Sequence, residues 1–418
     1  MASESQWTEL SLGDVLELKR GYDLPKDKRR QGVVPIVSSS GISDYHSDAM
    51  VGGPGVVTGR YGTIGDVFFV DEDFWPLNTT LYVRDFKGND PRFVSYLLKT
   101  IDFQAYSDKG AVPGINRNHL HLAKVKIPSY SVQTRIAEIL SAFDSKIELS
   151  RECCALLEGL AQAIFKSWFV DFDPVKAKIA ALQEGRDPLR AAMSAISGKS
   201  DDELDALPKS EFEALASTAK LFPDDMQEVA STVAPVGWQI RRAGDVFELA
   251  YGKALKSTDR VEGDIPVYGS GGITGCHDVA LVEHASVIVG RKGTVGALYW
   301  EDGPFFPIDT TFYVKPIAAP LTYCYYAMQR LGLDQMNTDA AVPGLNRENV
   351  YRLDVVWPGD ALLTAFDILV SPLRKTIRAL HTQSKTLASL RDALLPKLLS
   401  GEITVKDLTD QAATAKDM

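Results

Sequence analysis

The sequence predicts a mixed α/β chain of two similar modules, each followed by a long helix. The two helices are expected to pair as an antiparallel coiled coil with pseudo-two-fold symmetry. Three observations predict this. The stretch Gly59-Arg60-Tyr61-Gly62-Thr63-Ile64-Gly65, followed by Asn78-Thr79-Thr80-Leu81-Tyr82-Val83, recurs as Gly290-Arg291-Lys292-Gly293-Thr294-Val295-Gly296, followed by Asp309-Thr310-Thr311-Phe312-Tyr313-Val314, at an offset of 231. That offset also aligns Trp7 with Trp238, Gly13-Asp14-Val15 with Gly244-Asp245-Val246, Pro35 with Pro266 and Gly41-Ile42 with Gly272-Ile273. An offset of 230 then pairs Ala111-Val112-Pro113-Gly114-Ile115-Asn116-Arg117 with Ala341-Val342-Pro343-Gly344-Leu345-Asn346-Arg347. So many matches with a single gap mark a tandem duplication.

Within the first module, Val33–Val37, Gly55–Thr58, Asp66–Val70 and Leu81–Val83 are short β-branched or aromatic runs punctuated by Gly, Pro, Asn and Ser. That is the pattern of strands joined by turns. Helices are expected at Gly13–Leu16, with Asp14 as its cap, and at Arg92–Leu98. The second module repeats this, with Leu321–Leu331 in place of the second of these helices.

After each module the apolar period changes. Ile136, Leu140, Phe143, Ile147, Ser150, Cys154, Leu157, Ala161, Ile164 and Trp168 follow a 4,3 spacing without a break. In the same register 230 residues on stand Phe366, Val370, Leu373, Ile377, Leu380, Ser384, Leu387, Arg391, Leu394 and Leu398. This is an a/d seam of more than four heptads, with Ser384 and Arg391 as defects. Pro372 is expected to kink the second helix or to mark its start. At 1.5 Å per residue each helix would span about 50 Å. A shared register and length favour the two packing on each other over each packing on its own module.

The divisions are 1–128 for the first module, 129–172 for the first long helix, 173–235 for a connector, 236–358 for the second module, 359–403 for the second long helix and 404–418 for a polar tail. Residues 1–128 carry 15 basic and 16 acidic groups, whereas 173–235 carry 7 basic and 12 acidic. Much of the net charge of −10 therefore sits in the connector, which reads as acidic and partly helical. A near-neutral module binds DNA weakly alone, because phosphate contacts dominate affinity. Partner subunits would have to supply much of the basic surface.

Other classes are disfavoured. No apolar run approaches the ~18 residues of a membrane span, and the Met1-Ala2-Ser3-Glu4 start shows no secretory pattern. The four cysteines, Cys153, Cys154, Cys276 and Cys324, form no CxxC, which fits reduced thiols in the cytoplasm. The glycine blocks read GxxGxxG, which is neither a dinucleotide fingerprint nor a P-loop. There is no Asn/Asp-Pro-Pro-Tyr/Phe, no Walker lysine and no GxSxG, so the chain is expected to be non-catalytic. His46 and His277 correspond but have no neighbouring ligand residues in sequence, so no metal is expected.

Glycines at this spacing permit a tight loop whose backbone approaches a strand or a phosphate closely. Arg60 and Arg291 suit phosphate or guanine edges, or else a salt bridge within the module. Tyr61 against Lys292 is the adjacent difference between modules, and a position that varies is a candidate base reader. Thr79, Thr80, Thr310 and Thr311 precede a strand and are further contact candidates, although threonine is common there anyway. Asn116, Arg117, Asn346 and Arg347 either fix a turn or reach the DNA backbone. Ser39 and Ser270 sit in a loop that otherwise differs, Ser38-Ser39-Ser40 against Gly269-Ser270-Gly271, and are candidates for base reading.

The first helix ends Ala163-Ile164-Phe165-Lys166-Ser167-Trp168-Phe169-Val170-Asp171-Phe172-Asp173-Pro174, and the second Leu394-Leu395-Pro396-Lys397-Leu398-Leu399-Ser400-Gly401-Glu402-Ile403. With the alternating modules and their glycine–arginine blocks, the chain resembles the specificity subunit of bacterial type I restriction–modification systems over essentially its whole length. The resemblance implies target recognition domains that each read one half of a bipartite DNA site. It also implies paired helices that set the spacing and dock two methyltransferase subunits, with restriction and translocase subunits joining them. It places S-adenosylmethionine, magnesium and ATP on those partners, double-stranded DNA as the ligand, and the complex in the cytoplasm away from any membrane. The connector departs from the family pattern. Two other readings are a two-domain enzyme holding a phosphorylated ligand in its glycine loops and a protein-interaction scaffold.

Overall fold

The computed structural model describes residues 7–108, 114–229, 232–336 and 344–405. The chain forms two compact units, 1–151 with 382–418, and 152–381. Each unit thus combines one module, the near part of the helix that follows it and the far part of the other long helix.

In the first unit a four-stranded antiparallel sheet runs in the order Glu17–Arg20, Thr80–Asp85, Gly55–Gly59, Val67–Val70. A three-stranded sheet runs Gly41–His46, Val34–Ser38, Trp75–Pro76, the last pair parallel. The central strand Gly55–Gly59 is buried on both faces. Its side chains alternate, so Val56 joins the main core while Val57 packs with Val37, Val70, Phe74 and Tyr82 on the other side. Helix Pro91–Lys99 closes the main core with Phe93, Val94 and Leu98; its cap is Asp90, whose carboxylate accepts the Phe93 N–H at 2.8 Å. At the short helix Leu12–Val15, Asp14 acts from the third helical position rather than as the cap. Its carboxylate accepts the hydroxyl and backbone N–H of the capping Ser11 at 2.5 and 3.3 Å.

The second unit repeats this order. Its sheets run Phe247–Tyr251, Thr311–Pro316, Ser286–Gly290, Leu298–Glu301 and Gly272–His277, Ile265–Gly269, Phe306–Pro307. Val287 and Val289 face the main core, and Ile288 faces Tyr268, Val282 and Phe305. Helix Leu321–Met328 takes the place of Pro91–Lys99.

The long helices span Tyr130–Phe169 and Asp360–Ser400. Along the first, Ile136, Leu140, Ile147, Ser150, Cys154, Ala161 and Trp168 are buried, with Phe143, Leu157 and Ile164 half-buried. Along the second, Phe366, Val370, Ile377 and Leu398 are buried, and Leu373, Leu387 and Leu394 are half-buried. In the second unit the two segments run antiparallel: Phe165 and Phe169 lie 5.8 and 5.2 Å from Phe366, and Cys154 Sγ lies 3.8 Å from the Ile377 carbonyl. In the first unit Ile136 and Leu140 share a core with Leu398 and Leu399.

The second helix runs through Pro372 without a break, so it does not start there. An interior proline costs about 3 kcal/mol through its missing N–H and its clash with the preceding turn. Here the carbonyl left over belongs to Ile368, which is largely exposed to water, while Val370, Leu373 and Ile377 on the opposite face hold the helix in its core. Arg391 is not a defect of the seam either, since its guanidinium meets Asp144 at 2.5 Å.

The connector is more ordered than its composition suggests. It comprises helices Asp173–Gln183, Pro188–Ser197, Asp201–Asp205 and Lys209–Lys220, then a hairpin of Met226–Val229 and Thr232–Pro235. Ala192, Met193, Leu204, Ala216 and Ala219 give it a small core, and Phe222 packs edge-on against Trp168 at 5.1 Å. Among the described residues no single helix is long and apolar enough to cross a membrane.

Candidate nucleic-acid interface

Each glycine block leaves the end of the most buried strand as a loop folded tightly on itself. A Cβ on Gly59 would lie 1.9 Å from the Thr63 carbonyl oxygen, and one on Gly290 2.0 Å from that of Thr294. Gly62 and Gly65, with their counterparts Gly293 and Gly296, have positive φ. The loop's own backbone excludes a side chain at Gly59 and Gly290, and positive φ favours glycine at the other four, so the spacing needs no ligand to explain it.

The loop is stitched to two neighbours. Backbone N–H groups of Arg60 and Tyr61 donate to the Thr79 carbonyl at 2.9 and 3.2 Å, and those of Arg291 and Lys292 to Thr310 at 2.9 and 3.1 Å. On the other side the Ile115 N–H donates to Arg60 at 3.0 Å and the Leu345 N–H to Arg291 at 2.8 Å. The turn carrying Ser39 or Ser270 lies beneath: a Cβ on Gly62 would meet Ser39 Oγ at 3.4 Å, and one on Gly293 would meet Ser270 Oγ at 3.1 Å. Blocks far apart in sequence thus converge on one surface in each module. Ala111–Pro113 and Ala341–Pro343 lie outside the described residues.

The side chains divide into a frame and a face. Thr80 and Thr311 are fully buried, and their hydroxyls donate to the Leu77 and Ile308 carbonyls at 2.7 and 2.8 Å. They hold the turn and do not reach a ligand. Thr79 and Thr310 are half-buried and contribute their carbonyls as above. Asn116 and Asn346 cap short helices, accepting the N–H groups of Asn118 and Glu348 at 3.0 and 2.9 Å. Capping satisfies donors that would otherwise lack partners and is worth about 1 kcal/mol, so these residues fix the turn through their side-chain oxygens.

The face is cationic and aromatic. Arg60 lies over the Tyr61 ring at 4.6 Å. Arg291 and Arg347 both lie against Tyr251, at 4.8 and 4.9 Å, and Arg291 also donates to the Asp309 carbonyl at 3.0 Å. Among the described residues no carboxylate pairs with Arg60 or Arg291, so the salt bridge considered for them is not formed. A guanidinium held by a ring and a carbonyl keeps its full charge for an outside anion. Arg347 differs, being 3.3 Å from Glu348. Arg117 and Lys292 are exposed.

The repeat offset places Arg20 where the second module has Tyr251. Arg20 donates to the Asn78 carbonyl at 3.3 Å, the contact Arg291 makes to Asp309 in the other module. Around the shared Arg60 or Arg291, one module therefore has arginine then tyrosine at the two flanking positions, and the other has tyrosine then lysine.

Residues outside the candidate contact set position these strands. His46 and His277 accept the N–H groups of Arg30 and Val261 on Nδ1 at 2.9 and 3.1 Å, so each staples a loop. His121 Nε2 accepts the Leu18 N–H at 3.0 Å, and at the matching place the Tyr351 hydroxyl accepts the Leu249 N–H at 2.8 Å.

The profile of the type I restriction modification DNA specificity domain matches residues 4–158 and 235–352, one stretch on each module. This chain belongs to that family. Among its relatives, the HindI specificity subunit of a type I restriction enzyme from Haemophilus influenzae is 30% identical over 385 residues, covering 81% of this chain and 84% of that protein. The MjaIX specificity subunit from Methanocaldococcus jannaschii is 23% identical, covering 80% and 74%. The solved S subunit of a type I restriction–modification system from M. genitalium shares the fold, with a TM-score of 0.58 at 20% identity over 94% of this chain and 96% of that one. The specificity chain's function is DNA sequence recognition for restriction and modification. None of these likenesses supports the phosphorylated-ligand enzyme or the scaffold.

Proposed function

We propose that each module of the specificity chain reads one half of a bipartite, asymmetric DNA site through its glycine–arginine face. The observation that carries this is the matched pair of loops: corresponding backbone hydrogen bonds present Arg60 and Arg291 with no carboxylate partner among the described residues, while the flanking side chains differ between modules. The shared arginine suits phosphate or a guanine edge, and the differing neighbours suit different bases. Thus the two halves of the site should differ.

The paired helices set the spacing and dock two methyltransferase subunits, which restriction and translocase subunits join. The chain itself is non-catalytic. S-adenosylmethionine, magnesium and ATP belong to the partners, whose basic surface supplies the phosphate affinity that a chain of net charge −10 lacks. The assembly acts in the cytoplasm, where its DNA is.

Mapping methylated adenines genome-wide in cells with and without this gene tests the reading. A bipartite asymmetric motif should vanish on deletion. An unchanged methylation map would contradict it.

A further inference from the structure

We propose that the order of charges along the helix seams makes the two halves of this chain pair with each other and reject copies of themselves. In the first unit Asp144, on the first long helix, accepts the Tyr96 hydroxyl at 2.6 Å and meets Arg391 of the second helix at 2.5 Å. In the second unit Arg374, on the second long helix, meets Glu158 of the first at 2.5 Å, and the Tyr326 hydroxyl lies 3.4 Å from that same carboxylate. The offset of 230 maps Tyr96 onto Tyr326 and Asp144 onto Arg374. Both units therefore hold a tyrosine, a carboxylate and a guanidinium at one place, but the sign at the repeated helix position is reversed.

The apolar seam discriminates weakly between the halves, because the same register of core positions runs through both helices. The charges can. If two copies of the first half paired through this seam, a second Asp144 would stand where Arg374 does, facing Glu158. The place of Arg391 would be taken by Ala161, its counterpart in the repeat. If two copies of the second half paired, a second Arg374 would stand where Asp144 does, facing Arg391, and Ala388 would replace Glu158. One homotypic pairing sets carboxylate against carboxylate, and the other sets guanidinium against guanidinium. Each such contact would occur twice in a symmetric dimer.

These groups are sheltered enough for the sign to matter. Side-chain exposure is 9% for Arg374, 24% for Glu158, 25% for Arg391 and 33% for Asp144. Screening is weak there, and a buried charge left without a partner is far more costly than an intact pair is favourable. Arg374 also lies over the Trp300 ring at 4.5 Å, a contact it would lose by swinging away from a like charge. The device is a repulsive element against the wrong partner laid over a permissive apolar seam. It favours pairing of the two unlike halves within one chain over like halves pairing between chains, and it holds whatever the modules bind.

The test uses the full chain, cut after folding at a protease site inserted at Gly185 in the exposed segment 182–187. The cut protein is unfolded in urea, refolded with both pieces present and analysed by native mass spectrometry. The native charges should return the unlike pieces together in at least about tenfold excess over dimers of either piece. The double change Glu158→Arg with Arg374→Glu keeps an ion pair in the native pairing, yet it brings opposite charges together in both homotypic pairings as well. That chain should return homotypic dimers of both pieces in a several-fold larger share than the native charges do, an outcome that a merely stabilising ion pair would not produce. An equal share of homotypic dimers from the native and the swapped chains would overturn the proposal. Should the swapped chain not refold, Asp144→Arg with Arg391→Asp poses the same question in the first unit, with the same two outcomes.

Discussion

The imidazole of His121 accepts the backbone N–H of Leu18 at 3.0 Å, tying the chain that leaves the first module to the strand that begins its main sheet. That bond requires an unprotonated Nε2. Burial foremost, then the nearby Arg117 and Lys87 charges, lowers the His121 pKa below its ordinary 6.5. The folded state therefore binds fewer protons than the unfolded one, so this contribution is complete above the ordinary value and is lost as pH falls through and below it. Denaturant unfolding at about pH 7.5 and about pH 5.5 should show an acid-sensitive first unit. His121→Tyr, which copies Tyr351 of the second module, should flatten that dependence; an identical pH response in both proteins would contradict this role.

The glycine loops give a sharper stability test. Gly59→Ala or Gly290→Ala drives a methyl group into the loop's own carbonyl and should cost on the order of 2 kcal/mol or more, with loss of DNA binding by the affected module. Gly159 is an exposed helix residue whose added Cβ meets nothing within 4 Å. There alanine should stabilise the chain by about 0.5–1 kcal/mol. Thermal unfolding of the three variants checks both signs.

How far the sequence spoke depended on whether the physics was local. Strand and helix periods survive in short windows, so Gly55–Gly59, Pro91–Lys99 and both long helices were legible. Arg391 read as a flaw because its partner Asp144 is 247 residues away. Thr80 read as a ligand contact because a polar side chain in a glycine-rich turn looks the same whether it faces a carbonyl or a solute. His121 and Tyr351 perform one task with unlike residues, and so left no mark in the alignment of the two repeats. The connector's helices are too short to show a sustained period, and its hairpin pairs only four residues a side.

The two ion pairs across the helices should not be equal in worth. Removing Arg374 strands a sheltered Glu158, so Arg374→Ala should cost roughly 3 kcal/mol. Arg391 and Asp144 are wetter, and Arg391→Ala should cost roughly 1 kcal/mol. Equal losses in denaturant titrations would show that burial does not govern these pairs.

Arg60→Ala removes a guanidinium that, among the described residues, is held by the Tyr61 ring alone, so unfolding should change little. Affinity of the assembled complex for its site should fall by the roughly 1–3 kcal/mol of a lost specific contact. Competition binding at fixed salt measures it, and undiminished affinity would remove Arg60 from the interface.

The most direct test of two independent readers is to replace residues 1–128 with the first module of another family member and to map methylation in cells carrying the hybrid. One half-site should change, while the half read by residues 236–358 and the distance between the halves stay as they were. A change in both halves, or in neither, would contradict the division of recognition between the modules.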